Sequence, residues 1–322
     1  MSAIGQPVSR ILMVRLGAMG DIIHTLPAAA SLRASFPEAR ITWAVESRWA
    51  QLLESNGSVD RVVEIDRRRG AILESLHRLR AEPYDLAIDF QGLVKSAVVA
   101  RLSHPAHILG YERSVVREPV ATWFYDEAAP THSAHVIDMR LDLAAAAGAQ
   151  ILRRAFPLPE GRPEGQLPSG GFVLASPLAG WGSKQWPMEH YRALAARLRR
   201  ELDLPLVLNG PPAALPQLNS IAGAVPHLSG IPGLIYATRR ATAVIGVDSG
   251  PLHLAAALNK PGIAIFGPTD PARNGPYSDS LQVLRAPGAA TSYKRADAPA
   301  ASMWQVTPDL VFDALKAACF AR

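Results

Sequence analysis

Two aspartates and a lysine, each beside a glycine-containing turn, are the residues of this sequence best placed to do chemistry. The first aspartate closes the run Arg15-Leu16-Gly17-Ala18-Met19-Gly20-Asp21. Gly17 and Gly20 let the backbone turn tightly and let a ligand come close. Asp21 falls at a helix start, where the helix dipole favours a carboxylate. At the carboxyl end of a strand such a carboxylate is suited to general-base work, and a plain N-cap uses the same residue type. The spacing is G-x-x-G, and no G-x-G-x-x-G dinucleotide fingerprint occurs. The lysine is Lys184, in the loop Ser176-Pro177-Leu178-Ala179-Gly180-Trp181-Gly182-Ser183-Lys184. It reads either as a point charge for a phosphate or as a surface lysine beside structural tryptophans.

The second aspartate opens Asp248-Ser249-Gly250-Pro251, a helix-start signature followed by His253. A second Gly/Pro loop, Gly267-Pro268-Thr269-Asp270-Pro271, leaves the next strand on the same sheet edge. Free helix N–H groups between two such loops form a seat for a diphosphate, and an ordinary capped βαβ turn has the same pattern. His253 reads as a capping or core histidine, or as a phosphate hydrogen-bond donor. No His, Cys or acid cluster has metal-ligand spacing, so no protein-held metal is predicted. G-x-S-x-G and Walker motifs are absent.

The elements that must hold these residues alternate. Strands are predicted at 10–15, 41–45, 62–65, 86–90, 172–175, 205–208, 241–247 and 263–266. Helices are predicted at 21–35, interrupted near its start by Pro27, and at 49–55, 69–80, 93–102, 135–147 after some shorter elements, 188–201, 216–224, 234–240, 253–258 and 308–320. A stretch rich in Pro, Gly and charge at 157–171 separates two such series. The order implies parallel, doubly wound α/β sheets in two domains facing across a central cleft. The expected division is 1–160 and 161–322, with the final helix able to pack back on the first domain.

With 322 residues, 48% of them hydrophobic, the chain has the composition of a soluble globular protein of two domains. No apolar run reaches bilayer-spanning length, and the N-terminus lacks a signal-peptide core. A single cysteine, Cys319, excludes an internal disulfide and suits a reducing compartment. The net charge of +5 is dominated by arginine, notably Arg67, Arg68 and Arg69, then Arg113, Arg117, Arg153 and Arg154. Guanidinium groups suit bidentate recognition of phosphate or carboxylate. Without a nucleic-acid motif or aromatic platform between the charges, an anionic small molecule or lipid headgroup fits better than RNA or DNA.

The segments LGAMGDIIHTLPA, IDFQGLVKSA, REP, SKQWP, VDSGPLHLAAAL and FGPTDP, in this order, resemble the bacterial lipopolysaccharide heptosyltransferases. These are inverting glycosyltransferases of the GT-B fold, family 9, and the likeness is stronger to heptosyltransferase I. The resemblance implies an ADP-heptose donor, the Kdo region of lipid A as acceptor, no cofactor and no metal. It implies an acceptor-binding N-terminal domain and a donor-binding C-terminal domain in a monomer. It further implies a cytoplasmic protein peripheral on the inner membrane, without a nucleic-acid partner. By the same resemblance Asp21 is the catalytic base. Ser176, Lys184, Asp248, Ser249, Gly250 and His253 bind the donor. Gly17, Met19, Gly20, Arg67, Arg68, Arg69, Lys95 and Arg117 bind the acceptor. The chain departs from the family pattern at DSGPLH, at SPLAGWG and after Asn209-Gly210, where Ala213 and Ala214 replace an acidic residue. The alternatives are another GT-B nucleotide-sugar transferase or epimerase, a non-catalytic lipid A or nucleotide binder, and an NAD-dependent oxidoreductase, which the missing fingerprint disfavours.

Overall fold

The computed structural model describes residues 8–66, 68 and 70–320. Two compact units divide the chain at 159/160, inside the Pro- and Gly-rich stretch. The first unit contains β1 (Arg10–Val14), α1 (Met19–Ile23), α2 (Leu26–Ser35), β2 (Arg40–Glu46), β3 (Arg61–Ile65) and α3 (Ala71–Leu79). It continues with β4 (Leu86–Asp89), α4 (Val94–Leu102), β5 (His107–Tyr111), β6 (Glu127–Ala129) and α5 (Val136–Ala146). All its strand pairs are parallel and their order is β3-β2-β1-β4-β5-β6.

The second unit repeats the plan. It contains β7 (Val173–Ala175), α6 (Met188–Leu202), β8 (Leu206–Gly210), α7 (Leu215–Asn219), β9 (Ala224–Leu228), α8 (Ile231–Arg240) and β10 (Ala243–Val247). There follow α9 (Gly250–Ala257), β11 (Gly262–Phe266), α10 (Pro271–Asn274), β12 (Leu281–Arg285), α11 (Ala301–Gln305) and α12 (Pro308–Phe320). Its parallel sheet has the order β12-β11-β10-β7-β8-β9. Numbered from its own first strand, each sheet runs 3-2-1-4-5-6, the doubly wound order. The switch points lie between β1 and β4 and between β7 and β10. Ligands of such sheets bind outside the carboxyl ends of the strands at those points.

Central strands such as β4, β10 and β11 are buried at every residue, as helix-covered parallel strands are. Leu12, Val14, Ala44 and Ile108 pack in the core of the first unit. Val173, Trp186, Ile245, Ile265 and Phe312 pack in that of the second. The final helix, α12, belongs to that second core through Val311, Phe312 and Leu315.

The interruption expected at Pro27 within 21–35 is a break into two helices, since Pro27 lacks an N–H for a continuous ladder and sits in the first turn of α2. Other local features differ from the sequence expectation. The helix expected over 216–224 ends at Asn219, and Ala224 starts β9 instead. Pro226 masks that strand in the sequence; β9 is the sheet edge, where a missing donor is tolerated. Strands β5, β6 and β12 and helices α10 and α11 lie where the sequence places no particular element, and the helix expected over 49–55 is a 3-10 turn at Ser47–Leu53.

Candidate active site

The turn after β1 carries Asp21 at the third position of α1, so the residue is not the N-cap, which is Ala18. Its carboxylate accepts the Ala18 backbone N–H at 3.4 Å, reaching back over the first turn. Arg15 Nη2 lies 2.6 Å from Oδ2 and Arg140 Nη2 lies 2.9 Å from Oδ1. Both arginines are buried, whereas the Asp21 side chain keeps 41% of its exposure. Desolvation pushes the carboxyl up, but Arg15, Arg140 and the Ala18 N–H outweigh it and hold it below the usual carboxylate value. Gly17 is required by close approach, since a Cβ there would stand 2.8 Å from Trp49 Nε1. Met19 is buried and turned into the core, and Gly20 follows it in the first turn.

Across the switch point, β4 ends in Asp89, which is fully buried. Desolvation raises its pKa, although Tyr125 Oη (2.7 Å), Ser96 Oγ (2.8 Å) and the Gln91 N–H (2.8 Å) donate to it. Gln91 in turn accepts the Leu16 N–H at 2.9 Å, tying the QGL turn to the β1 turn. Glu46, at the end of β2, pairs with Arg48 at 2.8 Å and with Lys95 at 3.2 Å. Burial pushes Glu46 up, and Arg48 with Lys95 draws it below its ordinary value. Glu46, Arg48, Asp66 and Arg68 line one open concavity of about 470 Å3. Arg68 forks onto Asp66, whose carboxyl is lowered to about 2. The structure thus brings Arg68 to an acidic partner within that concavity and Lys95 to Glu46, which lines it. Arg117 is exposed ahead of a 3-10 turn at Pro119–Phe124. Arg67 and Arg69 lie outside the described residues.

The charge of the first unit is balanced more closely than its arginine runs suggest. Residues 1–159 hold 18 Lys and Arg against 17 Asp and Glu, and the rest hold 15 against 11. The excess of positive charge therefore lies mostly in the second unit.

In that unit the parallel pairing of β7 with β10 sets the Lys184 loop beside the Asp248 loop. Lys184 Nζ is 2.6 Å from Asp248 Oδ2, and His253 Nε2 is 3.3 Å from Asp248 Oδ1. Burial acts to raise the Asp248 carboxyl; His253 and then Lys184 outweigh it and leave it well below its ordinary value. Ser249 holds the N-cap position of α9 in an extended conformation, but its hydroxyl caps no N–H and is buried without a partner. No side chain caps the start of α9; Pro251 has no N–H, and the Leu252 and His253 N–H groups donate to Ser249 O at 3.1 and 3.3 Å, which leaves the Gly250 N–H to face a ligand. Ser176 is buried directly after β7. In the following loop Asp270, not Thr269, caps α10 by accepting the Ala272 N–H at 3.0 Å.

A segment from the far end of the chain braces the lysine loop. The Ser183 N–H donates to Ala296 O at 2.9 Å, and the Ala300 N–H donates to Ser183 O at 3.2 Å. A Cβ on Gly182 would stand 2.0 Å from Asp297 O, so only glycine fits beneath this strap. Trp181 carries two cations, with Lys184 Nζ 4.3 Å and Arg295 Cζ 5.2 Å from its ring centroid.

Arg15, Glu46, Arg140 and Arg295 were not singled out from the sequence. Arg15 had a signal, standing at the end of a strand beside the Gly17 turn. A lone arginine within a largely apolar helix, such as Arg140 in α5, has none. Among the described residues no group of three or more His, Cys, Asp or Glu could hold a metal. None of the described helices is long and apolar enough to cross a membrane.

Two doubly wound units, each with its polar residues at the carboxyl edge beside the switch point, have the architecture of a GT-B glycosyltransferase. The sequence matches glycosyltransferase family 9 (heptosyltransferase) over residues 72–301. Lipopolysaccharide heptosyltransferase 1 of Pseudomonas aeruginosa is 31% identical over 300 residues, covering 84% of this chain and 82% of that protein. Its counterpart in Escherichia coli K12 is 31% identical over 309 residues, covering 86% and 94%. The solved E. coli heptosyltransferase WaaC with ADP superposes with a TM-score of 0.76 at 28% identity, covering 96% of this chain and 99% of that one. This chain belongs to glycosyltransferase family 9.

Proposed function

We propose that the protein transfers heptose from ADP-L-glycero-D-manno-heptose to the Kdo region of Kdo-lipid A, with inversion at the anomeric carbon. The reading rests on an accessible, ionised carboxylate in the first unit together with a helix start bearing Lys184 and His253 in the second. The family relatives are heptosyltransferases, and the WaaC structures hold ADP and ADP-2-deoxy-2-fluoro heptose.

In this reading the first unit takes the acceptor and the second the donor. Asp21 accepts the proton of the attacking Kdo hydroxyl as its oxygen bonds to the anomeric carbon. The anomeric carbon–oxygen bond to the diphosphate breaks, and its electron pair leaves with ADP. The leaving charge is met by Lys184, His253 and the Gly250 N–H at the start of α9. Asp248 already neutralises one charge, so it aims Lys184 and His253 rather than binding phosphate itself. Ser176, Ser249 and Gly250 complete the donor side. Gly17, Gly20, Lys95, Arg68 and Arg117 serve the acceptor side.

The same reading has the protein working as a monomer in the cytoplasm and visiting the inner membrane peripherally to reach its lipid acceptor. Net charge supplies little of that attraction in the first unit. Val120 and Trp123, 44% and 73% exposed, are three residues apart on the 3-10 turn and share its outer face. An exposed Trp and Val on one face suit a membrane interface. The deciding experiment is transfer from ADP-heptose to Kdo-lipid A, beside Asp21→Ala and a panel of other nucleotide sugars. Faster turnover of another sugar would replace the donor assignment. Absence of turnover with any donor would replace the enzyme by a binding protein.

A further inference from the structure

Arg15 and Arg140 reach Asp21 from unrelated parts of the first unit. Arg15 follows β1; its Nη1 donates to Phe90 O at 2.9 Å, and its carbonyl accepts Trp43 Nε1 at 3.2 Å. Arg140 rises from α5; its Nη1 donates to Val136 O at 2.6 Å and its Nε to Thr25 Oγ1 at 2.9 Å. Thr25 Oγ1 then donates to Asp21 O at 2.8 Å, closing a ring from the carboxylate back to its own backbone. Each carboxylate oxygen therefore has its own guanidinium, and each guanidinium is anchored by other bonds.

Such an arrangement exceeds what a helix start requires. A capping carboxylate is satisfied by backbone N–H groups, whereas here two buried charges converge on one carboxylate that remains partly exposed. The trio carries one net positive charge. Tyr111, from the end of β5, feels both arginines and both Asp89 and Asp21, and its pKa is pushed up to about 12 chiefly by burial. His24 follows α1, with His135 at the start of α5 and its ring 6.4 Å away, and Glu46 borders Gly17. None of these groups replaces either arginine as a partner of the Asp21 oxygens.

We propose that Arg15 and Arg140 are positioning residues for transfer, jointly fixing the orientation and charge of the Asp21 carboxylate. The inference rests on Asp21 being the base. Arginine is needed because its planar fork bonds the carboxylate while its other nitrogens hold the scaffold; lysine supplies a point charge alone. Restraint of a reacting group is worth large factors in rate, with misplacement by 1 Å costing about 100-fold. Removing a cation destabilises the ionised form, so the Asp21 titration moves to higher pH.

The test uses full-length Arg140→Lys and Arg140→Met with ADP-heptose and Kdo-lipid A. The expected result is a fall in kcat of about tenfold or more, with ADP affinity unchanged. In Arg140→Met the acid limb of the kcat profile moves to higher pH. In an Asp21→Asn background the same change adds no further loss. A folded Arg140→Met with unchanged kcat and acid limb overturns the proposal, as does a loss that persists undiminished in the Asp21→Asn background. If Arg140→Met fails to fold, Arg140→Lys keeps the charge, and its kcat with and without Asp21→Asn decides. Titration of the Asp21 carboxyl by 13C NMR, assigned with Asp21→Asn, reads the interaction without turnover. An Asp21 titration unmoved by Arg140→Met or Arg15→Met overturns it. An Asp21→Asn enzyme that transfers normally instead removes the base assignment, and the NMR shift still reports on the arginines.

Discussion

Asp21 and Asp248 are built alike and exposed differently. Each follows the first or fourth strand of a 3-2-1-4-5-6 sheet, beside the switch point, and each is held by two basic side chains. Asp21 keeps 41% side-chain exposure, while Asp248 keeps 7%. The partners differ less in burial, the arginines on Asp21 keeping 8% and 7% and Lys184 and His253 16% and 7%, but the latter two stand beside the start of α9. The comparison separates two uses of one chemistry. Where the carboxylate is accessible and the cations are buried, the carboxylate can act on a ligand. Where the carboxylate is buried, it orients the cations.

The largest effect should come from removing the accessible member. Asp21→Asn is expected to lower kcat by about 10²–10⁴ with ADP affinity intact by calorimetry; near-normal turnover would break the comparison at its first term. Lys184→Ala should lower kcat by about 10²–10³ and weaken ADP binding, since it removes charge at the leaving diphosphate. It also removes a partner from a buried carboxylate, so its Tm should fall too. Equal ADP affinity and rate in that variant would show that the lysine is only a counter-ion.

Gly182→Ala sharpens the second term by displacing the strap. A loss of about 1–3 kcal/mol in denaturant unfolding is expected, together with weaker ADP binding. Acid titration gives a smaller, signed effect. The Asp248 carboxyl is held low in the folded protein, so its stabilisation is complete above the unfolded value near ~4. It is lost as pH falls through the lower folded value. Asp248→Asn should therefore flatten the decline of Tm below that pH, and a parallel decline would assign the acid sensitivity elsewhere. The smallest effect is expected for Arg68→Ala, whose pair with Asp66 is exposed. Its Tm should not move measurably, while the acceptor KM should rise if the 470 Å3 concavity beside it takes the acceptor.

Local signals were sufficient for much of the frame. The expected strands at 86–90 and 263–266 lie within a residue of β4 and β11, because fully buried parallel strands need near-continuous apolar sequence, broken in β4 only at its last residue, Asp89. The glycine turns at 17–20 and 180–182 sit at strand ends, as their freedom to turn and permit close approach requires. Edge elements were less legible. In β9, Pro226 gave a turn signal that only its place at the sheet edge overrides. In β12 the polar Gln282 and Arg285 obscure a strand with one partner.

The sequence by itself determined the two-unit α/β alternation and the loops bearing Asp21, Lys184 and Asp248, since periodicity and glycine spacing act over a few residues. Tertiary structure alone decided what those residues touch. Arg140 reaches Asp21 across 119 residues of chain, and Lys184 reaches Asp248 across 64. Such pairs arise from strand order, which sets loops distant in sequence side by side at one sheet edge. Low solvent access then gives their charges an effect that residue spacing does not encode.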